Sequence, residues 1–89
     1  MKIKEGFVLR EIAGNIVVVP TGTLVKEFPN MITLNESGRF LFELLQKADL
    51  EVEELTNKLI EKYKIDENRA SKDAEMFVKK LKDSGVLQK

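Results

Sequence analysis

Short apolar runs rich in β-branched residues alternate with turn-forming residues along the first third of the chain. The runs at residues 7–12 and 16–19 flank Ala13-Gly14-Asn15, a composition that suits positive φ angles, so they predict a β-hairpin. Two connections fit this pattern, a two-residue loop at Gly14-Asn15 and a three-residue loop. Each gives a different register, so the core face of the first strand stays open.

A third short strand is expected at Met31 to Leu34, after a break at Pro20 and Gly22 and a loop over residues 23–30. Sequential strands usually neighbour each other, and short connections favour antiparallel pairing, so this strand should lie beside one strand of the hairpin. As an outer strand it would leave one row of backbone amides and carbonyls unpaired. Natural proteins cover or use such edges.

Helical periodicity begins directly after the third strand. Asn35 is a good N-cap, and Glu36 places a negative charge at the positive end of the helix dipole. Phe42 lies off the apolar stripe of this helix, and we interpret it as a core contact rather than a partner-binding residue. The predicted stripe comprises Phe40, Leu41, Leu44, Leu45 and Ala48.

A second helix is predicted over residues 52–63, with three glutamates at its start. Acid/base catalysis needs carboxylates whose pKa values are pushed apart, and a metal site needs more converging ligands than one helical turn offers. We therefore interpret Glu51, Glu53 and Glu54 as a solvated helix start. The predicted inward residues are Val52, Leu55, Leu59, Ile60 and Tyr63.

A third helix is expected from Asp66, a good N-cap, to about Asp83. Gly85 suits the left-handed position after it, with Val86 contacting Leu81 in a Schellman motif. A second, largely basic row lies beside the buried stripe and is either a solvated face with an incidental methionine or the border of a groove. The buried stripe is Ala70, Ala74, Phe77, Val78 and Leu81, and the second row is Arg69, Lys72, Asp73, Met76 and Lys80.

The order of three strands and three helices predicts an α+β, winged-helix-like fold, in which helices pack on a three-stranded antiparallel sheet in a single domain over residues 1–89.

The 15 basic and 15 acidic residues cancel, and the chain has neither cysteine nor histidine. These counts exclude disulfides, thiolate nucleophiles, common zinc sites and Ser-His-Asp triads. No catalytic or cofactor motif is present, so a non-enzymatic interaction domain without a cofactor is expected. With no signal peptide or membrane-spanning run, we expect a cytoplasmic protein.

Several motifs occur in a characteristic order. Leu34-Asn35-Glu36-Ser37-Gly38 is followed by Phe40-Leu41-Phe42-Glu43-Leu44-Leu45, the second helix carries Glu53-Glu54-Leu55, Leu59 and Tyr63, and the last helix ends in Leu81 and Gly85. This order resembles the PqqD family over nearly the whole chain. Its members recognise the leader peptides of ribosomally made, post-translationally modified peptides.

The resemblance implies a binding mode. In the family, the leader of a precursor peptide pairs as an extra strand with the third strand, in the groove beside the third helix, and is delivered to a modifying enzyme, often a radical S-adenosylmethionine (SAM) enzyme. The strand backbone would set the register, Met76 and Phe77 would accept apolar anchors, and the basic residues would meet acidic leader residues. The residues so assigned are Met31, Ile32, Thr33, Leu34, Arg69, Lys72, Asp73, Met76, Phe77 and Lys80.

One departure concerns the product. Family members devoted to the quinone cofactor tend to have a cysteine and a glycine soon after the leucines of the first helix, where this chain has Gln46-Lys47-Ala48-Asp49. A recognition element for another modified peptide is therefore expected. We expect a monomer, although an unpaired strand edge also suits a dimer.

Two other functions stay open on the residues alone, a winged-helix nucleic-acid-binding protein and a general protein-interaction adaptor. The third helix balances its basic residues with acidic ones, and the hairpin loop has no lysine or arginine. A nucleic-acid-binding surface would show a basic excess there. We therefore expect neither nucleic acid nor a membrane as a partner.

Overall fold

The computed structural model describes residues 1–22, 24–27 and 32–88, and it confirms an α+β fold in which a three-stranded antiparallel sheet precedes three long helices. A short helix and a separate two-stranded sheet complete the described part of the chain. None of the described helices combines the length and the apolar character needed to cross a membrane. The elements are β1 (Lys2–Ile3), β2 (Phe7–Ile12), β3 (Asn15–Pro20), α1 (Leu24–Glu27), β4 (Ile32–Leu34), α2 (Glu36–Lys47), α3 (Val52–Tyr63), α4 (Glu67–Asp83) and β5 (Leu87–Gln88).

The hairpin of β2 and β3 closes through a two-residue loop at Ala13-Gly14, with Ile12 paired to Asn15. Both expected loops were wrong, because Asn15 belongs to the strand and Ala13 takes a turn position. Ala13 and Gly14 have φ angles of 51° and 83°. Positive φ at both central residues is the signature of a type I′ turn, whose twist matches that of the strands it joins. The favourable fit of this turn to the strands offsets the energetic cost of a left-handed conformation at alanine.

The third strand of the sheet, β4, pairs antiparallel with β3 and lies at the edge of the strand order β2-β3-β4. This confirms the prediction that it lies beside the hairpin. Met31, which was assigned to the same strand, lies outside the described residues.

Two features have no counterpart in the predicted elements. Part of the expected loop, Leu24–Glu27, is a short helix that contacts β3. At the ends of the chain, β1 and β5 pair antiparallel, and the N–H of Lys4 donates to the carbonyl of Val86 at 2.9 Å. Strands of two residues are too short to show an alternating pattern, so the sequence could not indicate them.

One face of the three-stranded sheet packs against the three long helices in a single apolar cluster. Phe42 is fully buried in this core, as predicted, and the buried face of α2 comprises Gly38, Leu41, Phe42 and Leu45. Phe40 and Leu44 are half-buried instead of central. The helix is therefore rotated relative to the predicted stripe, toward its aromatic residue at position 42.

Two residues predicted to be inward are exposed. Ala48 is the C-cap of α2 and has an extended backbone, so it no longer follows the helical periodicity. Tyr63 is the last residue of α3 and is 37% exposed, with its ring edge-on to Phe40 at 6.0 Å between centroids. Leu55 and Leu59 are buried as predicted, with Thr56 beside them.

The ends of α4 follow the predicted capping chemistry. The Asp66 side chain accepts a hydrogen bond from the N–H of Arg69 at 2.9 Å. At the other end Gly85 has a φ of 76°, and Val86, 2% exposed, donates its N–H to the carbonyl of Leu81. This is the predicted Schellman closure.

Candidate functional site

The outer edge of β4 presents the backbone of Thr33. The two residues that flank a two-residue hairpin loop form a hydrogen-bonded pair, so odd-numbered residues of β3 bond to β2 and even-numbered residues bond to β4. The even-numbered residues Ile16 and Val18 pair with Leu34 and Ile32. These two residues of β4 are therefore bonded within the sheet. Thr33 lies between them, so its N–H and C=O point away from the sheet.

Helix α4 reaches this edge through Lys80. The Nζ atom of Lys80 donates a hydrogen bond to the Thr33 carbonyl oxygen at 2.6 Å, although 47 residues separate the two in sequence. Both residues are exposed. The gap between β4 and α4 is therefore spanned by one lysine side chain, and it is open to solvent along that contact.

A cleft of about 170 Å³ lies beside this gap, between the first turns of α2 and the middle of α4. Met76 is 69% exposed on its wall, and Phe77, 7% exposed, contributes a largely buried ring. Charged groups from Asp73 and Lys80 also line it, so the cleft offers an apolar surface with both signs of charge around it. The lining residues are Asn35, Ser37, Gly38, Leu41, Asp73, Met76, Phe77 and Lys80.

The α2 side of the cleft was missed by the sequence-based assignment. The Asn35 side chain caps α2, accepting from the N–H of Gly38 at 2.8 Å and from the hydroxyl of Ser37 at 3.0 Å. A Cβ on Gly38 would lie 3.1 Å from the Asn35 Oδ1 atom and 3.3 Å from the Cβ of Leu34. A glycine inside a predicted first helical turn was the available signal, because such a position is costly unless close packing requires it.

Of the residues assigned to the groove, Asp73, Met76, Phe77 and Lys80 share the cleft. The other basic residues line a separate, open depression of about 680 Å³ at the start of α4. There Arg69 is 3.9 Å from the carboxylate of its neighbour Asp73, an exposed pair at helical spacing. Asp73 borders both spaces. The depression is lined by Asp66, Glu67, Asn68, Arg69, Lys72 and Asp73.

The strand residues divide in a different way. Ile32 and Leu34 are 8% and 7% exposed and belong to the core, so their side chains anchor the strand to the helices. Thr33 is exposed and carries the outward backbone groups. Met31 lies outside the described residues.

Neither the cleft nor the rest of the described chain contains a cluster of metal-binding side chains. Among residues 1–22, 24–27 and 32–88, no group of three or more Asp and Glu side chains is placed to hold a metal ion. At the opposite end of α2 from the cleft, the hydrogen bond from the Met1 ammonium at 2.5 Å lowers the pKa of the Asp49 carboxyl. This contact joins the start of the chain to the segment after α2.

The chain is similar to a known protein family and to a solved structure. The family model described as coenzyme PQQ synthesis protein D (PqqD) matches residues 7–87. No curated protein matches the sequence. The solved structure of "TbiB1 in complex with the TbiA(beta) leader peptide" is similar with a TM-score of 0.73 and 22% identity, and the alignment covers 99% of this chain and 95% of that chain. At this identity the likeness shows a shared fold.

Proposed function

The chain belongs to the PqqD family, and we propose that it is a non-catalytic protein that binds the leader segment of a ribosomally made precursor peptide and presents it to a modifying enzyme. The observation that carries this proposal is the outward-facing backbone of Thr33 beside the cleft on α4. Peptide recognition by strand addition needs an available sheet edge and pockets for alternate side chains. The solved structure with this fold that contains a leader peptide adds support.

The geometry defines how a bound strand would present its side chains. Residues that lie opposite each other in neighbouring strands point to the same face of a sheet. A leader residue opposite Thr33 would therefore point to solvent, and its two neighbours would point toward the helices, as Ile32 and Leu34 do. The leader is expected to carry apolar residues at alternate positions, with one of them packing on Met76 and Phe77 in the cleft.

The charged residues have a secondary role in this proposal. Arg69, Lys72 and Lys80 are exposed, and exposed ion pairs contribute little to affinity. They would attract acidic leader residues, mainly raising the rate of encounter and the sensitivity to salt. Most of the side-chain contribution would come from the apolar anchors, since few residues dominate such interfaces.

The partner enzyme is proposed from the family resemblance. In this proposal residues 1–89 act as a single, monomeric recognition domain, and the leader is delivered to a modifying enzyme of the radical SAM class. The segment Gln46-Lys47-Ala48-Asp49 after the leucines of α2 supports a modified peptide other than the quinone cofactor as the product.

Two variants at one position test strand addition. Thr33→Pro removes the outward N–H at an edge where proline is tolerated, and Thr33→Ala keeps it. The probe is a fluorescent synthetic leader of a precursor peptide encoded beside the gene, and binding is followed by anisotropy. We expect Thr33→Pro to bind about tenfold more weakly, because a backbone hydrogen bond and the strand register are lost, and Thr33→Ala to bind within about twofold of the parent.

Melting curves by circular dichroism would show that both variants stay folded. Equal affinity of the two variants for the leader would rule out pairing at this edge. Binding of a DNA duplex in place of the leader would instead favour the nucleic-acid-binding alternative.

A further inference from the structure

The acceptor that a bound strand would use is already occupied in the free protein. Lys80 Nζ lies 2.6 Å from the Thr33 carbonyl oxygen, in the space that the backbone of an added strand would enter. The described residues place no carboxylate within ion-pair distance of Lys80. The nearby Asp83, one turn further along, pairs with Lys79 at 3.0 Å. The lysine is therefore directed to the strand edge instead of to an acidic neighbour.

Lysines are among the devices by which proteins prevent unwanted pairing of exposed strands. We propose that Lys80 is a removable guard of the β4 edge, which prevents pairing with a second copy of this chain and is displaced by the incoming leader strand. The claim that Lys80 prevents self-pairing depends only on the geometry described above. The claim that the leader displaces Lys80 rests on the proposed function.

Lys80 should affect pairing with a second copy of β4 and pairing with a leader strand to different extents. A symmetric β4–β4 dimer would use the same edge of both copies, so two Lys80 side chains would have to leave two Thr33 carbonyls. The two displaced ammonium groups would then lie close together, and like charges repel. A leader strand displaces only one lysine, and it gains contacts with Met76 and Phe77 in the cleft. The same residue therefore opposes self-association more strongly than it opposes the ligand.

Measurements of self-association test, without any peptide, the claim that Lys80 prevents pairing with a second copy. Lys80→Ala removes the guard, and Lys80→Arg keeps a cation that can reach Thr33. Lys82→Ala is the matched control, because Lys82 is an exposed lysine on the same helix that lies away from the cleft. By sedimentation equilibrium we expect a dimer dissociation constant for Lys80→Ala at least about tenfold below that of the wild type, while the other two variants match the wild type.

Carbonyl chemical shifts identify the edge that is used. The ¹³C resonance of the Thr33 carbonyl should change in Lys80→Ala and stay unchanged in Lys82→Ala, and the Thr33 amide should become protected in the dimer. The guard is disproved if Lys80→Ala stays as monomeric as Lys82→Ala, if both alanine variants associate equally, or if the wild type already pairs through β4.

The labelled leader peptide separates failure of the guard from failure of the proposed function. At protein concentrations below its dimer dissociation constant, Lys80→Ala should bind the leader about two- to threefold more tightly than Lys82→Ala. The competing hydrogen bond is absent in the first variant only, while both variants lose one positive charge. If the leader binds but Lys80→Ala shows neither effect, the guard alone is wrong. If Lys80→Ala dimerises but no variant binds the leader, the edge guard stands and leader recognition fails.

Discussion

At the scale of single residues, the first turn of α2 explains why the junction from β4 to α2 has its particular sequence. Asn35 must cap the helix, and Gly38 must leave room for both the Asn35 side chain and Leu34. The same turn forms one wall of the cleft. Substitutions here should therefore change stability first and the shape of the candidate site with it.

The N-cap gives a direct stability prediction. Replacing Asn35 by Ala leaves the N–H of Gly38 without its side-chain acceptor, which should lower the free energy of unfolding by about 1 kcal/mol. Asn57→Ala, at an exposed position inside α3, is the control and should leave stability unchanged or slightly raised, because alanine is the better helix former. Urea unfolding measures both. Equal losses in the two variants would contradict the capping role.

Among the elements, the β2–β3 hairpin holds one turn residue in an energetically unfavourable backbone conformation. Ala13 is a non-glycine residue at a φ of 51°, and it precedes Gly14 in a two-residue turn. Asn-Gly is the preferred pair for such a turn, because asparagine adopts this conformation more readily. The turn composition was recognised in the sequence, but which two residues form the loop depended on pairing with β3.

The free energy of unfolding should depend on how readily the residue at position 13 adopts a positive φ angle. We expect Ala13→Asn to increase the free energy of unfolding by about 0.5–1 kcal/mol, and Ala13→Val to decrease it, because a β-branched residue fits a positive φ poorly. Thermal unfolding of the three proteins provides the comparison. A stabilised valine variant would show that the turn does not keep this conformation in solution.

Across the molecule, the elements that the sequence predicted are those with clear hydrophobic periodicity or local capping and turn signals. The hairpin, the β4 to α2 junction and the caps of α4 follow from local chemistry, so they were predicted. The pairing of β1 with β5 and the short helix α1 have too few residues to show a pattern. The exposure of Tyr63 reflects its place at a helix end, which periodicity alone does not register.

The candidate site was predictable in part for the same reason. The row containing Met76 and Lys80 on α4 was visible at helical spacing, but the cleft also needs the first turn of α2, and its edge contact joins residues 47 positions apart. The sequence also could not show that Thr33, rather than Ile32, carries the outward backbone groups. That assignment required the register of the hairpin and of β4.

Hydrogen exchange at a single amide tests strand addition most directly. In ¹⁵N-labelled protein, the Thr33 N–H faces outward and should exchange quickly, whereas the amides of Ile32 and Leu34 are bonded within the sheet and should be protected. Saturation with the synthetic leader should slow exchange at Thr33 by at least about tenfold and leave its two neighbours protected as before. If the leader binds while the Thr33 amide exchanges as quickly as in the free protein, the leader does not pair with this edge, and β4 is not the binding strand.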